Sequence, residues 1–157
     1  MRGQCGRMAE RMIQTPLGPI TLTASDGAIT ALDWRQGARD ATPELCEAEA
    51  QLDAYFAGTR QAFDLPLRVE ASEFQQRVCA RMQAIPFGDT LTYGDLAREL
   101  GAPAQAIGAG CGGNPIAIII PCHRVLGAKS LGGFSAKGGV ETKVWLLRHE
   151  GAAGLLI

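Results

Sequence analysis

Long apolar runs are missing from this 157-residue chain, so no segment has the length a membrane-spanning helix needs. Charge of one sign is missing too. Fifteen Lys/Arg against 16 Asp/Glu leave a net charge of −1, and the field of the whole chain does not announce a nucleic-acid binder. Histidine is scarce, with only His123 and His149, and no C-x-x-C pair occurs, so a zinc site finds no ligand spacing. The first dozen residues carry Arg2, Arg7 and Arg11 without an apolar stretch behind them, so no secretory signal is read and the cytoplasm is the expected location. Five cysteines (Cys5, Cys46, Cys79, Cys111 and Cys122) are an odd count, which speaks for thiols in a reducing compartment rather than a disulfide scaffold. With 46% apolar and 20% charged residues, disorder and collagen-like repeats are excluded.

The length suits one domain or two small lobes. Residues 1–71 hold seven Lys/Arg against ten Asp/Glu and residues 72–157 hold eight against six, a slight asymmetry that permits a basic surface in the second half. Residues 1–11 read as a loose polar leader. Pro16-Leu17-Gly18-Pro19 is a turn signal, Ile20–Thr23 alternates as a strand, Asp26-Gly27 is a hairpin signal, and Ile29–Trp34 answers as a second strand. Thr42 before Pro43 starts a helix whose apolar face is Leu45, Leu52, Tyr55 and Phe56, stopped by Gly58. Phe63–Leu67 reads as one more short strand. The expected division is an α/β N-terminal lobe over 1–70 and a mostly α C-terminal domain over 71–157.

In the second part, Ser72 with Gln75 forms a capping-box pattern. Phe74, Val78, Met82 and Ile85 line one side of the helix it opens, and Pro86 closes it. Two short helices, Tyr93–Leu100 and Ala104 to about Cys111, flank Gly101-Ala102-Pro103, the layout of a helix-turn-helix. Short helix pairs are common, and this layout alone does not establish DNA binding. Ten of the 20 glycines fall between Gly101 and Gly139, where backbone must turn or approach something closely.

Ile116–Ile120 is a continuous apolar run of the kind found in a strand buried on both faces. Pro121 ends it, and Cys122, His123 and Arg124 follow at once. Free cysteines are ordinarily small buried hydrophobes. Here the thiol ends a buried element beside an imidazole and a guanidinium, and positive neighbours favour the nucleophilic thiolate. Adjacent side chains on extended backbone point to opposite faces, so contact between Cys122 and His123 requires a bend at Pro121 or a bridging water.

These residues carry a resemblance. Asn114-Pro115, Ile120-Pro121-Cys122-His123-Arg124-Val125, Gly132-Gly133-Phe134-Ser135 and Lys143-x-x-Leu146-Leu147-x-x-Glu150-Gly151 are similar to the motifs of the O6-alkylguanine-DNA alkyltransferases. Phe74-x-x-x-Val78, Ile85-Pro86-x-Gly88, Thr92-Tyr93-x-x-Leu96-Ala97 and Ala106-Ile107-Gly108 follow the same pattern in order. The similarity is close over 72–151 and holds only in outline over the first lobe.

The resemblance implies a ribonuclease-H-like α/β lobe followed by a winged helix-turn-helix-like DNA-binding domain. It implies a single-use transfer of an alkyl group from O6 of guanine, or O4 of thymine, to Cys122. His123 would be the base acting through a water, with Glu150 orienting it. Tyr93 would place a phenol near the base's ring nitrogen, and Asn114 would hold the bend behind the active-site segment. Carbonyls at Cys122 and Val125 and the Ser135 segment would read the base edge, with Phe134 walling the pocket. Arg124 would contact phosphate, with Arg77, Arg81 and Lys143 as further candidates. The partner would be double-stranded DNA, held through the minor groove by a helix whose small residues include Ala106 and Gly108, with the damaged base flipped out. The implied protein is a monomer without cofactor or metal; a zinc site in the first lobe is not expected, since that lobe has no histidine.

Two positions depart from the family pattern. Gln105 stands where an arginine usually fills the gap left by the flipped base, and Phe134 where a tyrosine is common. Glutamine lacks the charge and the stacking plane, so slower or weaker flipping is expected. Three other readings stay open: a lesion-binding protein that flags damage without transfer, a Cys-His hydrolase, and a winged-helix regulator that senses alkylators.

Overall fold

The computed structural model describes residues 8–128, 131–132 and 138–152. Its residues cluster into two units, Met1–Val69 and Glu70–Ile157. Among the described residues no helix is long and apolar enough to cross a membrane.

The first unit is a three-stranded antiparallel sheet, β1 (Met8–Thr15), β2 (Gly18–Ser25) and β3 (Ala28–Asp33), in that order, with helix α1 (Pro43–Phe56) packed on it. The central strand β2 is buried from Ile20 to Ser25, as a strand between two partners and under a helix must be. Asp26 and Gly27 take φ of 51° and 83°, the pair of positive values that a two-residue hairpin loop needs to match strand twist. Leu45, Ala48, Leu52 and Tyr55 of α1 recur at helical spacing and are buried.

Two expectations for this unit are corrected. The leader does not extend to residue 11: Met8, Ala9, Glu10 and Arg11 pair with Ser25, Ala24, Thr23 and Leu22. Their polarity belongs to an edge strand whose charges are matched. The Glu10 carboxylate accepts from Ala38 N at 2.7 Å and Arg35 Nη2 at 3.0 Å, while Arg11 Nε pairs with Glu49. Phe63–Leu67 is not a strand. It contributes one bridge, Ile29 to Leu67, because Pro66 has no N–H to extend a ladder.

The second unit contains α2 (Glu73–Gln83), β4 (Leu91–Thr92), α3 (Tyr93–Leu100), α4 (Ala104–Gly112), a 3-10 turn (Cys122–Arg124), β5 (Val125–Leu126) and α5 (Val140–His149). Ser72 Oγ accepts from Gln75 N at 3.1 Å and caps α2. The Gln75 side chain turns to the next helix instead, donating to Gly110 O at 2.7 Å. Thr92 and Asp95 form a reciprocal capping box on α3, and Gly101, at φ 65°, ends it in the left-handed conformation. Three residues later α4 begins, giving the helix-turn-helix pair. A Cβ on Gly110 would lie 3.0 Å from Val78 Cγ2, so this glycine lets α4 seat against α2. Strands β4 and β5 pair in parallel over two residues and set the start of α3 beside the end of the 3-10 turn.

Ile116–Ile120 is buried but is not a strand. Ile118 takes φ 72°, and Ile119 N donates to Ala117 O at 2.9 Å, a γ-turn around a β-branched residue. Pro121, at φ −82° and ψ 70°, makes an inverse γ-turn, with Cys122 N donating to Ile120 O at 2.8 Å. The run is a coil of tight turns whose backbone groups bond locally, and it delivers Cys122 into the interior.

Candidate active site

Asn114 braces the coil from its first residues. Its Nδ2 donates to Ile120 O at 2.8 Å and its Oδ1 accepts from Ile116 N at 3.0 Å, so one amide side chain ties both ends of the apolar run. The 3-10 turn that follows places Cys122, His123 and Arg124 on tight backbone, all three buried. Val125 N–H closes the turn on Cys122 O.

From α5 and its end come Lys143 and Glu150, both buried. Glu150 accepts from Arg124 Nε at 2.8 Å and Arg124 Nη2 at 2.9 Å, and His123 Nε2 lies 2.7 Å from its Oε2. Burial alone would raise the Glu150 carboxyl. The hydrogen bonds and charges of His123 and Arg124 outweigh it and hold the group down at about 2. An ionised carboxylate can only accept, so His123 Nε2 carries a hydrogen. Burial pushes the His123 imidazole below its ordinary value against the pull of Glu150, which favours the neutral ring. In that tautomer Nδ1 is a bare acceptor, and it is buried with no hydrogen-bond partner among the described residues. Burial pushes the Cys122 thiol up, opposed by the Asn114 side chain and the charge of Lys143. The arrangement is a protonated thiol, a neutral imidazole with a free lone pair, and a carboxylate holding that imidazole in orientation.

Arg124 is not available to phosphate, contrary to expectation. Its guanidinium is occupied by Glu150 and by Ile85 O, at 2.6 Å from Nη1. Of the other candidates, Lys143 donates to Val125 O at 2.7 Å, Arg81 pairs with Glu99, and Arg77 donates to Leu100 O at 3.1 Å. The use of Arg124 as the second partner of Glu150 was missed in the sequence. Its signal was the acidic residue closing an otherwise apolar and basic helix end.

Tyr93 opens α3, and its ring packs on Gly132, where a Cβ would lie 2.8 Å from the phenol oxygen. On α4, Gln105 and Ala109 are exposed and Ala106 and Gly108 are half-buried. A Cβ on Gly108 or Gly112 would meet nothing within 4 Å, so these small residues are not there for internal packing, unlike Gly110. Gln105, Gly108, Ala109 and Gly112 recur at helical spacing and make one smooth outward face. Phe134 and Ser135, like Cys5, lie outside the described residues.

A helix-turn-helix unit folded around a buried thiol, with imidazole and carboxylate in hydrogen-bond contact beside it, defines the class of protein. Comparison with known proteins gives the family. Residues 73–152 match the model of the 6-O-methylguanine DNA methyltransferase DNA-binding domain, and residues 8–69 match that of the ribonuclease-like domain of the same proteins. The chain belongs to the 6-O-methylguanine DNA methyltransferase family. The methylated-DNA–protein-cysteine methyltransferase of Mycolicibacterium paratuberculosis is 41% identical over 151 residues, covering 89% of this chain and 90% of that protein. The crystal structure of the Mycobacterium tuberculosis O6-methylguanine methyltransferase superposes with a TM-score of 0.81 at 38% identity, covering 92% of this chain and 93% of that one. The structure of Mycobacterium tuberculosis OGT in complex with DNA does so at 0.81 and 42% identity, over 90% and 92%.

Proposed function

We propose that this protein repairs DNA by direct reversal, moving an alkyl group from O6 of guanine, or O4 of thymine, irreversibly onto its own Cys122. The observation that carries the reading is the buried His123–Glu150 contact of 2.7 Å, which leaves His123 Nδ1 without a hydrogen-bond partner among the described residues, one residue from the thiol.

The Cys122 Sγ–H bond breaks and its proton passes through a water to His123 Nδ1, while Glu150 stabilises the imidazolium that forms. The sulfur electron pair attacks the alkyl carbon in line with the C–O6 bond. The S–C bond forms as the C–O bond breaks, and the electrons of that bond stay with guanine. The Tyr93 phenol gives the departing base a proton at its ring nitrogen and recovers one from solvent. The thioether on Cys122 has no route back to a thiol, so each molecule acts once.

Reaching O6 within a duplex requires the nucleotide to be turned out of the stack. The smooth face of α4 suits close approach to the minor groove, with Gln105 entering the space the base leaves. The carbonyls of Cys122 and Val125 and the Ser135 segment read the base edge, with Phe134 as a wall. The protein acts as a monomer, without cofactor, in the cytoplasm.

Incubation with a short duplex containing one O6-methylguanine, followed by intact and peptide mass spectrometry, tests this. One methyl on the Cys122 peptide, stoichiometric with lesion and absent in Cys122→Ala, is the expected result. Unmodified protein that still binds the lesion tightly overturns transfer and supports damage flagging.

A further inference from the structure

Lys143 has no exposed surface, and the chemistry above makes no use of it. Burying an ammonium group costs several kcal/mol, which an apolar side chain of the same length would not incur. What surrounds it is specific. Its Nζ donates to Val125 O at 2.7 Å, and Val125 N–H donates to Cys122 O, so the cation is pinned to the residue that closes the thiol's own turn. It also lies 5.8 Å from the centre of the Tyr93 ring.

The titratable groups facing this pair come from every element packed around it. Cys79 on α2 and Cys111 on α4 share the interior with Cys122, and Tyr93 comes from α3. His123, Arg124 and Glu150 form their own cluster, in which the Glu150 charge is matched by Arg124. Burial lowers Lys143 to about 8, while Cys122 and Cys111 act to keep it charged, and Lys143 in turn acts to lower the Cys122 thiol.

We propose that Lys143 is the counter-ion of the Cys122 thiolate, a positioning residue whose ammonium the Val125 carbonyl holds beside the sulfur as its proton leaves. Lys143 keeps its own proton throughout. The Sγ–H proton goes to His123, and Lys143 offsets the negative charge left on sulfur until the S–C bond consumes it. The inference rests on Cys122 being the alkyl acceptor, so the test separates the two.

Lys143→Met and Lys143→Arg are compared with the parent protein in two assays across about pH 6 to 10. The first is carboxamidomethylation of Cys122 by iodoacetamide, localised by peptide mass spectrometry, which needs no DNA. The second is methyl transfer from the O6-methylguanine duplex. In Lys143→Met the apparent thiol midpoint rises by about one unit or more. Both reactions slow about tenfold or more near pH 7.5, and the loss is recovered at high pH. Lys143→Arg keeps most of the thiolate. An unmoved midpoint, or the same loss at every pH, overturns the assignment. A parent protein that reacts with iodoacetamide but takes no methyl from DNA refutes the repair reading and leaves the counter-ion test intact. If Lys143→Met does not fold, the reciprocal measurement decides. The Lys143 Cε resonance, titrated by NMR in Cys122→Ala, shows a midpoint below that of the parent, and an unchanged midpoint overturns the proposal.

Discussion

Replacing Glu150 by glutamine removes one charge from a cluster in which two side chains, Arg124 and His123, depend on it. Glutamine keeps one acceptor oxygen, so it can hold the donors on one side of the cluster but presents an NH2 to those on the other, and the buried Arg124 guanidinium is left without its counter-charge. Removing one member of a buried ion pair costs about 3–5 kcal/mol, because the partner's charge stays buried without its match. Linkage gives an independent figure. Held at about 2 against an ordinary 4.5, the Glu150 carboxyl contributes about 3 kcal/mol to folding at neutral pH, at 1.36 kcal/mol per unit. The folded value is depressed, so this contribution is fully present above the unfolded value and is lost as pH falls through about 4.5 towards 2. Urea unfolding, followed by Trp145 fluorescence in a Trp34→Phe background, reports on the second unit. Glu150→Gln should lower its stability by about 3–5 kcal/mol at pH 7, and the gap to the parent should close between about pH 5 and pH 2. A loss below about 1 kcal/mol, or a gap that stays constant across that range, would refute the charge cluster as the source of stability.

Two further substitutions probe the surroundings. Gly132→Ala forces a Cβ to within 2.8 Å of the Tyr93 ring at a φ of 74°. Methyl transfer should fall about ten- to hundredfold while the iodoacetamide reaction of Cys122 is unchanged, since the phenol and not the thiol is displaced. Gln105→Arg adds a cation to the exposed face of α4. Its Tm should be unaltered, while lesion-duplex binding tightens and the slope of log K against log salt steepens by about one.

The elements readable from the sequence were those with local punctuation. Asp26-Gly27 named its hairpin, and Gly101-Ala102-Pro103 marked the break between the two short helices, because positive φ and helix stops are demands of single residues. Met8–Arg11 was misread because its strand character comes from pairing with β2, and its charges are satisfied by Ala38, Arg35 and Glu49 far along the chain. Ile116–Ile120 satisfied the pattern of a buried strand because hydrophobicity reports burial and not backbone shape. Asn114, bonding both ends of the run, is what decides for turns. The motif around Cys122 located the site, but the burial of Arg124 and Lys143 could not be read there. A basic residue is ordinarily exposed, and only the three-dimensional arrangement of Glu150 and the Val125 carbonyl makes the interior tolerable for them.

The placement of Glu150 and Lys143 on the far side of Cys122 in the sequence has a consequence for the order of synthesis. Translation makes Cys122, His123 and Arg124 first, and Lys143 and Glu150 come afterwards. Until α5 has emerged and docked, His123 lacks the carboxylate that orients it, and the ammonium of Lys143 is not yet held by the Val125 carbonyl. The cluster of His123, Arg124, Glu150 and Lys143 is therefore assembled only when the last helix of the second unit is in place, so a chain cut short before α5 carries the cysteine motif without the charges that surround it.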